Sequence, residues 1–235
     1  GRCHSMSGPD PTPVIDTSPR PGVADLHIHT LASDGVSGVE EVLAAAEERP
    51  LDVIAITDHE RIDAAVVAQR LAQERQLPLA VIVGEEVTTR NGHLVGLFMT
   101  RRIKPWGTMR DAVARVHDQG GICIVAHPLV PYPLCASEGT IRRMLDEADP
   151  ARHPDAIEAF NPTTARMRWS RRVPAFVADV GLAAVASSDA HHADAIGRAV
   201  TRFPGVTEDD LRAAVAGRAT TWDGSAYGWP EQVGM

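Results

Sequence analysis

Seven short apolar runs punctuate this 235-residue chain, and stretches with helical amphipathic spacing lie between most of them. The runs are 23–28 (VADLHI), 52–57 (DVIAIT), 79–84 (LAVIVG, extending to Thr89), 93–99 (HLVGLFM), 121–126 (GICIVA), 155–160 (DAIEAF) and 182–187 (LAAVAS). Runs of this length bounded by turn or charge signals read as strands buried on both faces. Helical spacing covers 37–49, 60–76, 107–119, 138–148, 163–180 and 207–217. Ser37 with Glu40 suggests a capping box, and Thr207 followed by acids with Gly217 behind marks both ends of the last segment. Strands alternating with helices predict an α/β protein with a largely parallel sheet.

Six of the ten histidines fall in short motifs in or beside these runs. His27 and His29 stand two apart on the first strand, so they project to one side. His59 closes the second strand after Asp58, His93 opens the fourth, and His127 follows the fifth. Asp189 and His191 come two apart after the seventh, while Asp34 lies in a Ser-Asp-Gly sequence that also suits a plain turn. Glu85 and Glu86 follow the third strand, and alternation lets only one face a pocket. Imidazole and carboxylate donors without thiolates suit Zn, Mn or Fe and the activation of water. An open doubly wound sheet collects ligands at one switch point, whereas a barrel brings every strand end to one rim. Donors spread from the first strand to the last therefore predict a closed or nearly closed barrel of seven strands. His117, His153 and His192 are expected to be structural.

Composition narrows the class further. Residues 1–22, rich in Pro, Ser, Gly and Thr, read as a disordered leader or expression remnant, and 23–235 as one domain. No apolar run reaches about 18 residues, so no membrane partner is expected. Three unspaced cysteines point to a reducing cytoplasm. A net charge of −8 disfavours long nucleic acid as a partner and leaves a small phosphorylated molecule open.

The motifs DLHIHT, SDG, ITDH, VGEEVT, GHLVGL, GGICIVAHP, IEAFN and SSDAH resemble, in order and content, the PHP (polymerase and histidinol phosphatase) superfamily over residues 23 to about 205. The resemblance implies a distorted (β/α)7, TIM-like barrel holding two or three divalent metal ions and hydrolysing phosphoesters. It further implies His27, His29, Asp34, His59, Glu86, His93, His127, Asp189 and His191 as ligands, with Glu86 chosen over Glu85 and bridging two ions. Among branches, stand-alone phosphoesterases similar to TrpH look nearest. Some of these carry an insertion after the strand holding the equivalent of His93. Here only 33 residues separate His93 from His127, so no capping domain is expected.

The expected reaction is hydrolysis of a phosphomonoester, or of a nucleotide or short-oligonucleotide phosphoester, by hydroxide held between two cations, with Glu86, His59 and Asp189 at the catalytic centre. Arg198, Arg168 and Asn161 are the candidate substrate contacts. Alternatives are a DNA-end-processing exonuclease-type module, a histidinol-phosphate phosphatase and a non-catalytic metal-binding interaction module. Ligand histidines must be neutral, so metal affinity should fall below about pH 6.

Overall fold

The computed structural model describes residues 20–227. Most of the expected leader lies outside this range. The first strand, β1 (Gly22–Ile28), starts one residue before the expected boundary, and Arg20 ahead of it forks the Asp52 carboxylate at 2.6 and 2.7 Å. There follow α1 (Val39–Glu47), β2 (Val53–Ile56), α2 (Asp63–Glu74), β3 (Ala80–Thr89) and β4 (Gly92–Leu97). Then come α3 (Met109–His117), β5 (Ile122–Val125), α4 (Glu138–Leu145), β6 (Ala156–Phe160), α5 (Val173–Val180) and β7 (Ala183–Ala186). The chain continues through β8 (Ala199–Phe203), α6 (Glu208–Ala216) and β9 (Thr221–Gly224).

All nine strands of the described residues form one sheet in the order β7-β6-β5-β4-β3-β2-β1-β8-β9. The barrel expectation holds, with two corrections. First, β8 and β9 add to the seven expected strands. Second, the sheet is mixed: β4 runs antiparallel to both neighbours, as does β8. Only a reversed β4 can put His93, its second residue, at the rim where parallel strands end.

Closure is nearly complete. Thr201 on β8 donates its hydroxyl to the Ala186 carbonyl of β7 at 2.9 Å and accepts the Ala186 N–H at 3.0 Å. Thr220 donates to the Ala184 carbonyl at 2.7 Å. At the rim, Ala190 joins β1 directly, accepting the His29 N–H and donating to the His27 carbonyl. Two apolar layers result. Ala24, Leu26, Val53, Ala55, Ile82, Val95, Leu97, Ile124 and Val185 fill the barrel, while Ile54, Ile56, Val81, Val83, Cys123 and Ile157 face the helices. Leu211, Ala214 and Val215 of α6 belong to the interior layer, so this helix plugs the end of the barrel opposite the rim. Its start is as expected: Thr207 accepts the Asp210 N–H.

Two helices differ from expectation. In α1 the N-cap is Gly38, whose N–H donates to Glu41, while Ser37 instead accepts the Ala193 N–H. The segment 163–180 is helical only from Val173, after a short 3-10 turn.

Candidate metal centre

The site grows out of strand alternation. On β2 the inward phase Val53, Ala55 continues through Thr57 to His59; on β3, Ile82 and Gly84 lead to Glu86; on β7, Val185 leads through Ser187 to Asp189. His93 shares the inward face of β4 with Val95 and Leu97. Gly84 keeps this corner compact, since a Cβ there would lie 2.7 Å from the Thr57 methyl and 3.0 Å from the Ile56 carbonyl.

Two strands reach the rim out of phase and carry a backbone device. On β1, Asp25 pairs with Ile54 but Ile28 pairs with Ile56, so one extra residue is accommodated as a bulge. It turns His27 and His29 inward, although Leu26 is already an interior residue. After β5, His127 would follow Ala126 onto the outer wall, and its left-handed φ of 26° turns it back. Asp189 is left-handed too, at φ 51°. Non-glycine residues held there store strain of about 1–3 kcal/mol, a cost that clusters at functional sites.

Glu86 sits at the centre, 1% exposed. Its Oε2 lies 3.1 Å from His27 Nε2, 3.2 Å from His29 Nε2 and 3.5 Å from His59 Nδ1. The other oxygen, Oε1, lies 2.8 Å from His93 Nδ1 and 3.2 Å from His127 Nε2. Asp189 Oδ1 stands 3.5 and 3.3 Å from the Nε2 atoms of His27 and His29. On the solvent side, Asp34 reaches His29, His59 and His191 at 3.3, 3.4 and 3.2 Å. All nine expected donors thus converge. Glu85 points the other way and accepts the Ile103 N–H, its carboxyl pushed up to about 7 by burial, with Glu60 adding to the rise.

The donor set fits divalent ions. His29 Nε2, His59 Nδ1 and His93 Nδ1 are buried without a hydrogen-bond partner, and all three face Glu86. Three overlapping groups have donor atoms mutually within 4.8 Å: His27, His29 and Asp189; His29, Asp34 and His59; His59, Glu86 and His93. Charge leads to the same conclusion. Burial opposes a proton on His27, yet Glu86, Asp189 and Glu158 outweigh it and raise the ring well above its usual value. Burial likewise opposes a proton on His29, but the carboxylates of Asp189 and Glu86 beside it raise it to about 9. Burial would raise Glu86, and the neighbouring imidazoles hold it well below the carboxylate range. The cluster demands positive charge, which ions placed between the rings would supply in place of protons.

A second set of contacts holds the donors in place; sequence reasoning offered Asp58 as such a support but assigned no role to Glu158 or Cys135. Glu158 Oε1 lies 2.9 Å from His27 Nδ1, while Oε2 accepts the His127 N–H and one Asn161 amide hydrogen. Asp58 accepts from Thr30 N–H, Thr30 Oγ1 and Ser33 Oγ, bracing the loop that carries Asp34. Cys135 Sγ approaches His127 Nδ1 at 3.4 Å. The available signal was a carboxylate inside an apolar run, as in Ile157-Glu158-Ala159, because a buried charge requires partners.

The expected substrate contacts fare differently. Asn161 is 3% exposed, and its amide is committed to Glu158, Asp189 and Thr163, so it supports the donors instead of reaching outward. Exposed Arg168 stacks over Trp169 at 4.3 Å. Arg198 stacks over Tyr227 at 4.6 Å and lines a groove of about 580 Å³ with Arg49 and Arg202, away from the nine donors. Of the histidines expected to be structural, His117 spans Asp155 and the Ala151 carbonyl, and His153 contacts the Glu147 carbonyl.

A nearly closed mixed barrel with a histidine–carboxylate cluster at one rim defines a class of metal-binding α/β proteins. Within that class the chain belongs to the PHP family: residues 25–154 match the PHP domain and 168–220 the PHP-associated region. It is 31% identical to the uncharacterized protein MJ1587 of Methanocaldococcus jannaschii over 149 residues, 59% of this chain and 81% of that one. It is 37% identical to the 5′-3′ exoribonuclease Rnm of Salmonella typhimurium over 79 residues, 32% of this chain but 27% of that protein. In fold it resembles a two-domain protein from Bacteroides vulgatus described as containing a predicted PHP-like metal-dependent phosphoesterase. There the TM-score is 0.67 at 17% identity, over 94% of this chain and 70% of the other.

Proposed function

We propose that this chain is a metal-dependent phosphoesterase acting on a small phosphorylated substrate, a phosphomonoester or a nucleotide or short-oligonucleotide phosphoester. One observation carries the reading: a single buried carboxylate, Glu86, has three imidazoles on one oxygen and two on the other. A carboxylate so placed can serve two cations at once. His27, His29, Asp34, His59, Glu86, His93, His127, Asp189 and His191 would hold two or three ions of Zn, Mn or Fe. Bound there, such ions acidify water and neutralise charge on phosphoryl oxygens.

The chain's own residues define the approach. His27 and His29 side chains are wholly buried, whereas those of Asp34, His59 and His191 are 51, 24 and 31% exposed. Substrate therefore enters over Asp34, His59 and His191, and Glu86 and Asp189 form the floor beneath the reacting phosphoryl group. His59 stands at the boundary between the two. Arg168, exposed beyond β6, is a candidate contact for the rest of the substrate. Free thiols at Cys123 and Cys135 would suit a reducing cytoplasm.

A second reading, exonucleolytic attack on RNA or DNA ends, draws support from the short match to the exoribonuclease. One experiment separates the two: metal analysis, then phosphate release from nucleotides, bisphosphates, histidinol phosphate, short oligonucleotides and long strands. Turnover of the small substrates with added Mn or Zn is the expected result. Absence of bound metal together with absence of turnover would overturn both readings, and activity confined to long strands would favour the second.

A further inference from the structure

We propose that Asp25 is a positioning residue for the metal centre, clamping both ends of the segment 188–197 that presents Asp189 and His191. The inference rests on those two residues being ligands. Asp25 is wholly buried on β1, two residues ahead of His27. Its Oδ1 accepts the Ser188 N–H at 2.9 Å and its Oδ2 accepts the Gly197 N–H at 2.8 Å. A carboxylate can accept on both oxygens, whereas an amide of the same shape offers one acceptor and one donor group. The charge is thus matched to two amides nine residues apart in the chain, one next to Asp189 and the other at the left-handed Gly197, φ 77°.

Between the two anchors the chain does three things that matter to the site. Asp189 takes its strained left-handed turn, Ala190 docks on β1 beside His27 and His29, and the His191 carbonyl accepts the Val36 N–H. Strain of this kind persists only when the surroundings over-determine it. Clamping the amide immediately before Asp189 does that, and clamping Gly197 stops the far end from relaxing the turn. Barrel closure does not require Asp25, because Thr201 and Thr220 already join β7 to the rest of the sheet. The carboxylate therefore acts on the donor segment rather than on the barrel.

The test is a Co²⁺ titration of metal-free protein, read by ligand-field absorption, for wild type, Asp25→Asn and Asp52→Asn. Asp52 accepts a backbone N–H, from Val23, at the opposite end of the barrel and belongs to no candidate donor group, so its variant controls for lost stability alone. Asp25→Asn is expected to weaken Co²⁺ binding about tenfold and to alter the spectrum, a loss in the range seen when outer contacts of ligands are removed. The control should keep the wild-type affinity and spectrum. Wild-type titration and spectrum in Asp25→Asn would overturn the proposal. A wild-type protein that takes up no Co²⁺ would instead overturn the metal-centre reading beneath it. If Asp25→Asn does not fold, amide exchange in wild-type, metal-free protein decides. Slow exchange at both Ser188 and Gly197 supports the clamp, and fast exchange at either overturns it.

Discussion

Glu158 and His27 lie 2.9 Å apart, Oε1 to Nδ1, with both side chains essentially excluded from solvent. The contact assigns the Nδ1 proton and leaves Nε2 aimed at Glu86 and Asp189. Partners of this kind orient a ligand imidazole and raise its basicity. Glu158→Gln should therefore weaken metal binding about 10–100-fold. Metal retained after dialysis against a chelator series measures it, and retention equal to wild type would remove Glu158 from this role.

Asp189→Asn and His59→Ala should each reduce phosphate release to background while leaving a folded protein. Asp189 faces His27 and His29, and His59 faces both Glu86 and Asp34, so losing Asp189 opens one of the overlapping donor groups and losing His59 opens two. Turnover with an unchanged circular dichroism spectrum is the measurement. Wild-type turnover in either variant would take that residue out of the centre.

His117 gives a pH signature far from the rim. Its hydrogen bond to Asp155 raises the ring above the usual histidine value against an opposing effect of burial. A folded-state pKa above the unfolded one stabilises fully below about pH 6.5, and the contribution disappears as pH rises through the folded value. The stability gap between wild type and His117→Gln should thus be larger at pH 6 than at pH 9. Urea unfolding at the two pH values tests this, and a gap independent of pH would count against the ion pair.

Leu211 on α6 is fully buried in the barrel interior. Leu211→Ala should cost about 2–5 kcal/mol, the range for emptying a packed leucine site. Chemical denaturation measures the loss. A change below about 1 kcal/mol would mean that α6 is not the plug described.

The nine donors were legible because imidazole and carboxylate are conspicuous at the ends of apolar runs. The barrel was legible because they recur on strand after strand. What alternation could not show was the hand-off at β1 and β5. Continued in simple phase from Leu26, His27 would face the outer wall, and so would His127 after Ala126. Only the Asp25–Ile28 bulge and the left-handed His127 bring them in. The reversal of β4 was hidden because an apolar run carries no direction. Residues 199–203 and 221–224 escaped notice because they are short, and the latter is mostly exposed. Asn161 looked available for substrate because its partners, Glu158 and Asp189, are 3 and 28 residues away.

Among the described residues, α6 is seated in the far end of the barrel, which opens at the donor rim. In the proposed reaction, substrate and product would both cross the rim where Asp34, His59 and His191 are the most exposed donors. Arrival and departure would then share one doorway and one floor, so the released anion should act as a competitive inhibitor, slowing initial rates at low substrate and losing its effect at saturating substrate.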